Sequence, residues 1–129
     1  MSSFRSTSIA CLFCFAAGAG AMWAQQKAQP TSRREPQFEN EHLTVWKSII
    51  MPAQPLTLHR HDHGRALVAL NNGRLRVTDK DGKVLDTYDL KAGTARWLGI
   101  DPPGQMHADV NDGKDPVEVI VVQLKNDNK

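Results

Sequence analysis

Three histidines lie within five residues of this chain, in the segment His59-Arg60-His61-Asp62-His63. A fourth, His107, lies in the segment 102–111, and the whole sequence has only five histidines. On an extended strand, side chains at positions i and i+2 share a face, whereas a helix would place them about 200° apart. Neutral imidazole is a common protein ligand for zinc, iron, copper and nickel. The pattern therefore predicts one metal site formed by the two segments.

The spacing leaves the choice among the first three histidines open. His59 and His61 can converge on one ion, and so can His61 and His63, because all three alternate in the same phase. His63 is therefore an alternative ligand. It could also be a proton donor at the pocket rim or a histidine in a solvent-facing loop.

The first 24 residues have the pattern of a secretory signal peptide. Arg5 supplies a positive charge, and the segment 19–21, Ala-Gly-Ala, fits a signal-peptidase site. The apolar run between them is about 13 residues long, shorter than the roughly 20 that a membrane-spanning helix needs. Cleavage is expected after Ala21 or Ala24. We therefore expect a secreted or periplasmic protein that is not attached to a membrane.

Composition limits the function classes. Cys11 and Cys14 both lie in the signal segment, so their C-x-x-C spacing does not predict a redox or zinc motif in the mature chain. The formal net charge is +2 at pH 7 and basic residues are scattered, which argues against nucleic-acid binding. After cleavage about 105 residues remain, the size of a single domain. The predicted organisation is a signal peptide (1–24), a polar leader that is either a spacer or an extra edge strand (25–42), a β-domain (43–125) and a polar tail (126–129).

From residue 43 onward the sequence predicts short strands separated by turns, with no helix. About eight strands at this spacing fit a sandwich or a small barrel. The apolar run 117–124 is typical of a central buried strand, and the segment Asn71-Asn72-Gly73 predicts a tight hairpin with positive φ. The expected strands are 43–50, 56–61, 66–70, 74–78, 84–90, 94–98, 107–111 and 117–124.

Several other side chains have both a structural and a functional interpretation. Trp46, Trp97 and Tyr88 could line a ligand pocket, but aromatic residues in strands are more often part of the core. Asn111 is expected to stabilise a turn rather than to contact a ligand.

Two segments resemble the paired motifs of the cupin family. The segment 51–73 is similar to the first motif, in which an H-x-H pair is followed by a glutamate and then by a turn glycine. The segment 93–111 is similar to the second motif, which ends in P-x-G-x-x-H-x-x-x-N. The matching residues are Pro102, Gly104, His107 and Asn111. The resemblance covers residues 43–124.

The resemblance implies an all-β fold, a double-stranded β-helix or jelly roll that forms a small barrel with the metal held in its mouth. Carried over to this chain, the metal ligands are His59, His61 and His107. The family's glutamate falls at Arg65, a fixed cation that would repel an ion by several kcal/mol, as an order-of-magnitude value at short range. Arg65 is therefore expected either to lie at the rim, where it could pair with a substrate carboxylate, or to leave the site poor in metal.

Three functional hypotheses follow. The first is a metal-dependent enzyme, with iron or manganese for oxidation of a small organic acid by O₂, or zinc or nickel for isomerisation or hydrolysis. The second is a non-catalytic module that binds a small molecule or an ion in the same cavity. The third is a structural domain whose histidines have no function. The resemblance also implies that a homodimer could form by sheet packing.

Overall fold

The computed structural model describes residues 30–127, and over that range it contains eight β-strands and no helix. The predicted all-β class is therefore confirmed. The same range holds no helix long and apolar enough to cross a membrane. The predicted signal peptide and both cysteines lie outside the described residues. The strands are β1 (Arg33–Glu39), β2 (Leu43–Ile50), β3 (Arg65–Ala69), β4 (Gly73–Thr78), β5 (Val84–Leu90), β6 (Ala95–Leu98), β7 (Ala108–Val110) and β8 (Val117–Leu124).

The strands form two antiparallel sheets, a five-stranded one in the order β1-β2-β8-β3-β6 and a three-stranded one in the order β5-β4-β7. As its apolar sequence predicted, β8 lies in the middle of the larger sheet. Its inward residues Val117, Val119 and Val121 are at most 6% exposed. They belong to a core cluster that also contains Trp46, Ile50, Leu56, Leu67, Ala69, Leu75, Val77, Tyr88 and Leu90.

Strand β1 lies in the polar leader and forms one edge of the larger sheet, paired with β2. Its register shifts between Pro36 and Phe38, where the ladder has a bulge or irregularity. A proline has no backbone N–H to donate, and charged residues discourage pairing with further strands, so this sequence suits an edge. The pairing brings Arg34 to the wall of the domain's inner cavity.

The segment 56–61 was predicted to be a strand, and this is wrong. Its ladder pairing is limited to an isolated antiparallel bridge between His59 and His107. On the side towards His61, the ladder stops where the His61 amide donates to Asp101 Oδ2, at 2.6 Å. A side chain therefore takes the place of a neighbouring strand at this point.

The prediction of a tight hairpin with positive φ at residues 71–73 is also wrong. The segment connects β3 of the larger sheet to β4 of the smaller one, and φ is not positive there. The Asn71 side chain donates to Pro116 O at 2.8 Å and accepts from the Glu118 amide at 2.9 Å. A Cβ on Gly73 would lie 2.5 Å from Val117 Cγ2. The glycine is needed for close approach to the core rather than for its backbone freedom.

Two of the three aromatic predictions are confirmed. Trp46 and Tyr88 are buried in the core and also line its cavity. Trp97 is 60% exposed, so its predicted burial is wrong. It lies on the edge strand β6, where its ring covers Gly64 so closely that a Cβ there would lie 2.3 Å from Trp97 Cζ2.

The predicted turn role of Asn111 is confirmed. The residue is 1% exposed, and its Nδ2 donates to the carbonyl oxygens of Ile50 and Asp115, at 2.9 and 2.8 Å. Its Oδ1 accepts from the Gly113 amide at 2.9 Å. The side chain thus joins the end of β2 to the turn before β8.

Candidate metal centre

The side chains of His59, His61 and His107 converge inside the domain. One ring nitrogen from each lies within 4.8 Å of the others. The ring centroids are 4.4 Å apart for His59 and His107, and 4.9 Å apart for His59 and His61. A divalent ion with bonds of about 2.1 Å would bring such nitrogens to roughly 3 to 3.5 Å, a change that small ring rotations could supply. The described residues therefore contain three neighbouring histidines that could hold a metal ion.

The backbone positions all three rings. The amide of His59 donates to His107 O at 2.9 Å, and the amide of His107 donates to His59 O at 2.8 Å. Asp101 forms two hydrogen bonds with the backbone of His61. The Asp101 carboxylate accepts from the His61 amide, and the Asp101 amide donates to His61 O at 3.0 Å. The two histidine segments are thus fixed to each other before any ion binds.

Each ring directs Nδ1 at an acceptor. A carbonyl, amide or carboxylate oxygen favours a proton on the nitrogen it faces, which leaves the Nε2 lone pair available as a metal ligand. The pairs are His59 Nδ1 with Thr57 O at 2.7 Å, His61 Nδ1 with Gln123 Oε1 at 2.7 Å, and His107 Nδ1 with Asp101 Oδ2 at 3.2 Å.

The environment of His59 Nε2 fits a metal ligand. His59 Nε2 is buried, and within residues 30–127 it has no hydrogen-bond partner. A buried polar atom without a partner costs about 1–3 kcal/mol, and such atoms are uncommon in folded proteins. An ion at this position would use the lone pair that the fold otherwise leaves unsatisfied.

Burial keeps the imidazoles of His59 and His61 in the neutral form that binds metals. It lowers the pKa of His61 to about 3, with the positive charge of Arg65 as the second cause. Burial also lowers the pKa of His59, although the backbone hydrogen bond to Thr57 opposes the shift. Neither ring has to lose a proton at neutral pH before it can coordinate a cation.

Arg65 lies inside the domain, not at the rim as one alternative expected. It opens β3, whose alternate residues Arg65, Leu67 and Ala69 face inward, and it is 5% exposed. Its Nη1 donates to Gly99 O at 3.0 Å, and its Nη2 lies 3.7 Å from Asp101 Oδ1. The strand's period of two explains the burial, and Asp101 offsets part of the charge.

His61 and His107 line a cavity of about 30 Å³, the volume of one or two water molecules. Arg34 reaches it from β1, with its guanidinium carbon 5.2 Å from the centroid of the Trp46 ring. Burial lowers the pKa of Arg34, while the negative charge of Asp109 opposes that shift. The charged and polar lining consists of Arg34, Ser48, His61, Arg65, Tyr88, His107 and Asp109.

His63, the alternative ligand, lies outside the three-histidine cluster. Its Nδ1 is 2.6 Å from Asp127 Oδ1, and Asp127 Oδ2 accepts from the Gly64 amide at 2.5 Å. Asp62, the next residue back, accepts from Arg60 Nε at 2.8 Å. The structure thus places His63 at the junction between the histidine segment and the end of the chain.

The motif comparison did not single out the partners of these rings. Asp109 could have been found, because it lies two residues beyond His107 and shares its face of an extended strand. The signal for Asp101 was weaker, an acidic residue directly before the Pro-Pro-Gly loop. Gln123 and Arg34 had none, since their proximity depends on how β8 and β1 pair in the sheet.

Neither a protein-family model nor a curated protein sequence matches the chain. Solved structures do. A cupin domain from Bordetella pertussis has 21% identity and a TM-score of 0.63 over 75% of this chain and 96% of that one. An RmlC-like cupin family protein with a double-stranded β-helix fold, from Methanocaldococcus jannaschii, has 17% identity and a TM-score of 0.56 over 77% and 84%. An uncharacterised protein from Klebsiella pneumoniae with a double-stranded β-helix domain has 24% identity and a TM-score of 0.55 over 77% and 81%.

At these identities the likeness establishes the fold and not the activity. It agrees with the two antiparallel sheets, and it confirms the fold that the paired motifs implied. This chain has the cupin double-stranded β-helix fold, with three histidines inside it that could hold a metal ion.

Proposed function

We propose that this protein binds one divalent transition-metal ion through His59, His61 and His107. The observation that carries the proposal is the common arrangement of the three rings. Each Nδ1 faces an oxygen acceptor, and the Nε2 of His59 is buried without a hydrogen-bond partner among residues 30–127. Oriented, neutral imidazoles with free nitrogens are the usual form of a histidine metal site.

The donor set selects a class of metal and not one element. Imidazole suits iron, nickel and zinc, and manganese is accepted where a carboxylate or water completes the coordination. We therefore propose iron, manganese, zinc or nickel as the bound ion.

The ligand class follows from the charge around the cavity. Two arginines, Arg34 and Arg65, line this cavity. We propose that a small organic acid binds here, with its carboxylate next to Arg65. When present, the divalent ion would polarise such a carboxylate or a water molecule. Arg65 would supply a fixed positive charge, and the apolar walls would limit access of bulk water.

Turnover of such an acid is the second candidate function. It is favoured by one observation, the buried cation of Arg65 in the cavity that His61 and His107 also line. A panel of short carboxylic acids incubated with the metal-loaded protein, with and without O₂, would separate the two. Product formed by the wild type and lost in Arg65→Met would support an enzyme, whereas binding without product would support the module.

The metal proposal can be tested by titration calorimetry on protein stripped with EDTA and then freed of the chelator. We expect one site per chain in the wild type, its loss in His61→Ala, and an unchanged site in the control His63→Ala. An equal loss in His63→Ala, or no binding by the wild type, would contradict the proposed ligand set.

Export is a separate proposal, which rests on residues 1–24. Expression in a bacterial host should yield a mature chain beginning at Met22 or Gln25, as measured by intact mass of the periplasmic fraction. An uncleaved chain in the cytosolic fraction would contradict it.

A further inference from the structure

We propose that Asp109 is a fourth ligand of the same ion. In the cupin pattern, a glutamate at the position of Arg65 supplies the carboxylate ligand. In this chain, Asp109 on β7 would supply it. This inference rests on the proposed metal site.

The position of Asp109 follows from strand geometry. Asp109 lies two residues beyond His107, and β7 is extended over Ala108–Val110, so the two side chains leave the backbone on the same side. Both line the same cavity, as does His61. A carboxylate is therefore present on the histidine side of the pocket, although it comes from another strand than the sequence pattern suggested.

The distance between Asp109 and His59 points to a shared cation. Asp109 Oδ2 lies 3.8 Å from His59 Nε2, which is longer than a hydrogen bond. Because His59 Nδ1 faces Thr57 O, the neutral ring presents a lone pair at Nε2, and a carboxylate oxygen also offers a lone pair. Two such atoms have no attraction for each other, but both can bind one ion. At about 2.1 Å from an ion, two neighbouring ligand atoms are separated by roughly 3 to 3.5 Å.

The other nearby carboxylate is already engaged. Asp101 Oδ2 accepts from the His61 amide and faces His107 Nδ1, and Asp101 Oδ1 faces Arg65. Among residues 30–127, the Asp109 carboxylate forms its ion-pair contact with His59 Nε2, at 3.8 Å. Asp101 thus orients the ligands, whereas Asp109 is available to become one.

This assignment also explains how an ion and Arg65 can occupy one pocket. Three neutral imidazoles leave the full +2 charge of a divalent ion in a poorly solvated site. A carboxylate ligand reduces the charge of the complex to +1 and lowers its repulsion of Arg65. Arg65, at the start of β3, stands where the cupin pattern has a glutamate. Asp109 on β7 would supply the missing carboxylate.

The test uses the full mature chain, stripped of metal and loaded with Co²⁺ or Zn²⁺. We expect Asp109→Asn to weaken Zn²⁺ binding by about 100-fold or more, since even the loss of an indirect partner of a ligand typically costs about 10- to 100-fold. We also expect it to change the visible absorption of bound Co²⁺, which reports the ligand set. Asp109→Glu, which keeps a carboxylate, should retain more affinity than Asp109→Asn. The matched control is Asp112→Asn, which removes an exposed carboxylate paired with Arg76.

The possible results separate this inference from the proposed function. Wild-type affinity and an unchanged Co²⁺ spectrum in Asp109→Asn would overturn the fourth ligand and leave the three-histidine site intact. Weaker binding with an unchanged spectrum would also overturn it, because Asp109 would then only neutralise the arginines. Failure of wild type and Asp112→Asn alike to bind either ion would overturn both proposals. Thermal unfolding of each variant would show whether Asp109→Asn still folds. If Asp109→Asn does not fold, the affinity and Co²⁺ spectrum of Asp109→Glu are compared with those of the wild type instead.

Discussion

His59 and His107 are joined by a reciprocal pair of backbone hydrogen bonds, 2.9 and 2.8 Å long, that forms an isolated bridge outside the named strands. Their side chains meet on one side of this bridge, with ring centroids 4.4 Å apart. The bridge joins the two histidine-bearing segments directly, so the candidate site does not depend on side-chain packing alone. The side-chain contacts around the rings can each be tested by a single substitution.

Asp101 should be a positioning residue. Asp101→Asn removes the charge that faces both His107 and Arg65 while keeping the shape of the side chain. We expect metal affinity to fall by about 10- to 100-fold, as for other partners of ligand histidines. We also expect the metal-free protein to lose stability, by at most about 3–5 kcal/mol, because buried Arg65 loses the carboxylate of its ion pair.

Metal titration and urea unfolding of the stripped protein would measure the two effects of Asp101→Asn. The control is Asp86→Asn, an exposed aspartate on β5. If both variants behave like the wild type, Asp101 neither orients the histidines nor balances Arg65.

Removing the buried charge of Arg65 should have opposite effects on the metal and on the acid. Arg65→Met should raise metal affinity by about tenfold, since relief of only about 1.4 kcal/mol of repulsion is sufficient. The same variant should weaken binding of acetate or oxalate to the metal-loaded protein, because the cation next to the carboxylate is gone. Calorimetry would measure both, and tighter binding of the acid in Arg65→Met would contradict its proposed role.

Gly73 should tolerate no side chain. A Cβ there would lie 2.5 Å from Val117 Cγ2, in the core and away from the candidate metal site. We expect Gly73→Ala to lower the free energy of unfolding by about 1–3 kcal/mol, the usual cost of overpacking. Gly99→Ala is the matched control, since a Cβ at Gly99 meets nothing within 4 Å. Equal unfolding midpoints for the two variants would show that β4 and β8 are not packed as described.

Asp127 should make the protein sensitive to acid. The hydrogen bond from the Gly64 amide, and then the one from His63, lower the pKa of this carboxyl below its usual value. A carboxyl whose pKa is lower in the folded state stabilises the fold above its unfolded pKa of about 3.9, and the contribution is lost as pH falls through the folded pKa. Asp127→Asn should therefore be less stable than the wild type at neutral pH. Its free energy of unfolding should fall less steeply between about pH 5 and pH 3.

Urea unfolding at a series of pH values would compare the two proteins. A variant that matches the wild type at neutral pH and keeps its full acid slope would show that Asp127 does not secure the end of the chain.

Sequence patterns predicted those elements whose signal is local. Apolar runs and turn residues located β2, β5 and β8, and motif spacing brought His59, His61 and His107 together. The segment 56–61 was misjudged, because the partner of the His61 amide is the side chain of Asp101, 40 residues away. Trp97 was misjudged for a related reason. Which face of β6 is covered depends on the sheet order, and β6 lies at an edge.

The burial of Arg65 was within reach of the sequence. It alternates with Leu67 and Ala69 in β3, and an inward phase for these two requires an inward phase for Arg65. The sequence pattern did not predict the ion pair between Arg65 and Asp101, because Asp101 lies in a loop far from β3 in the sequence.

The most direct test is the metal content of the mature protein, purified without an affinity tag or chelator and measured by elemental analysis. The double variant His59→Ala/His107→Ala is purified in parallel. We predict close to one iron, manganese, zinc or nickel ion per wild-type chain and none in the double variant. A wild type that holds no metal, even after incubation with each of these ions, would contradict the three-histidine site, as would metal retained in full by the double variant.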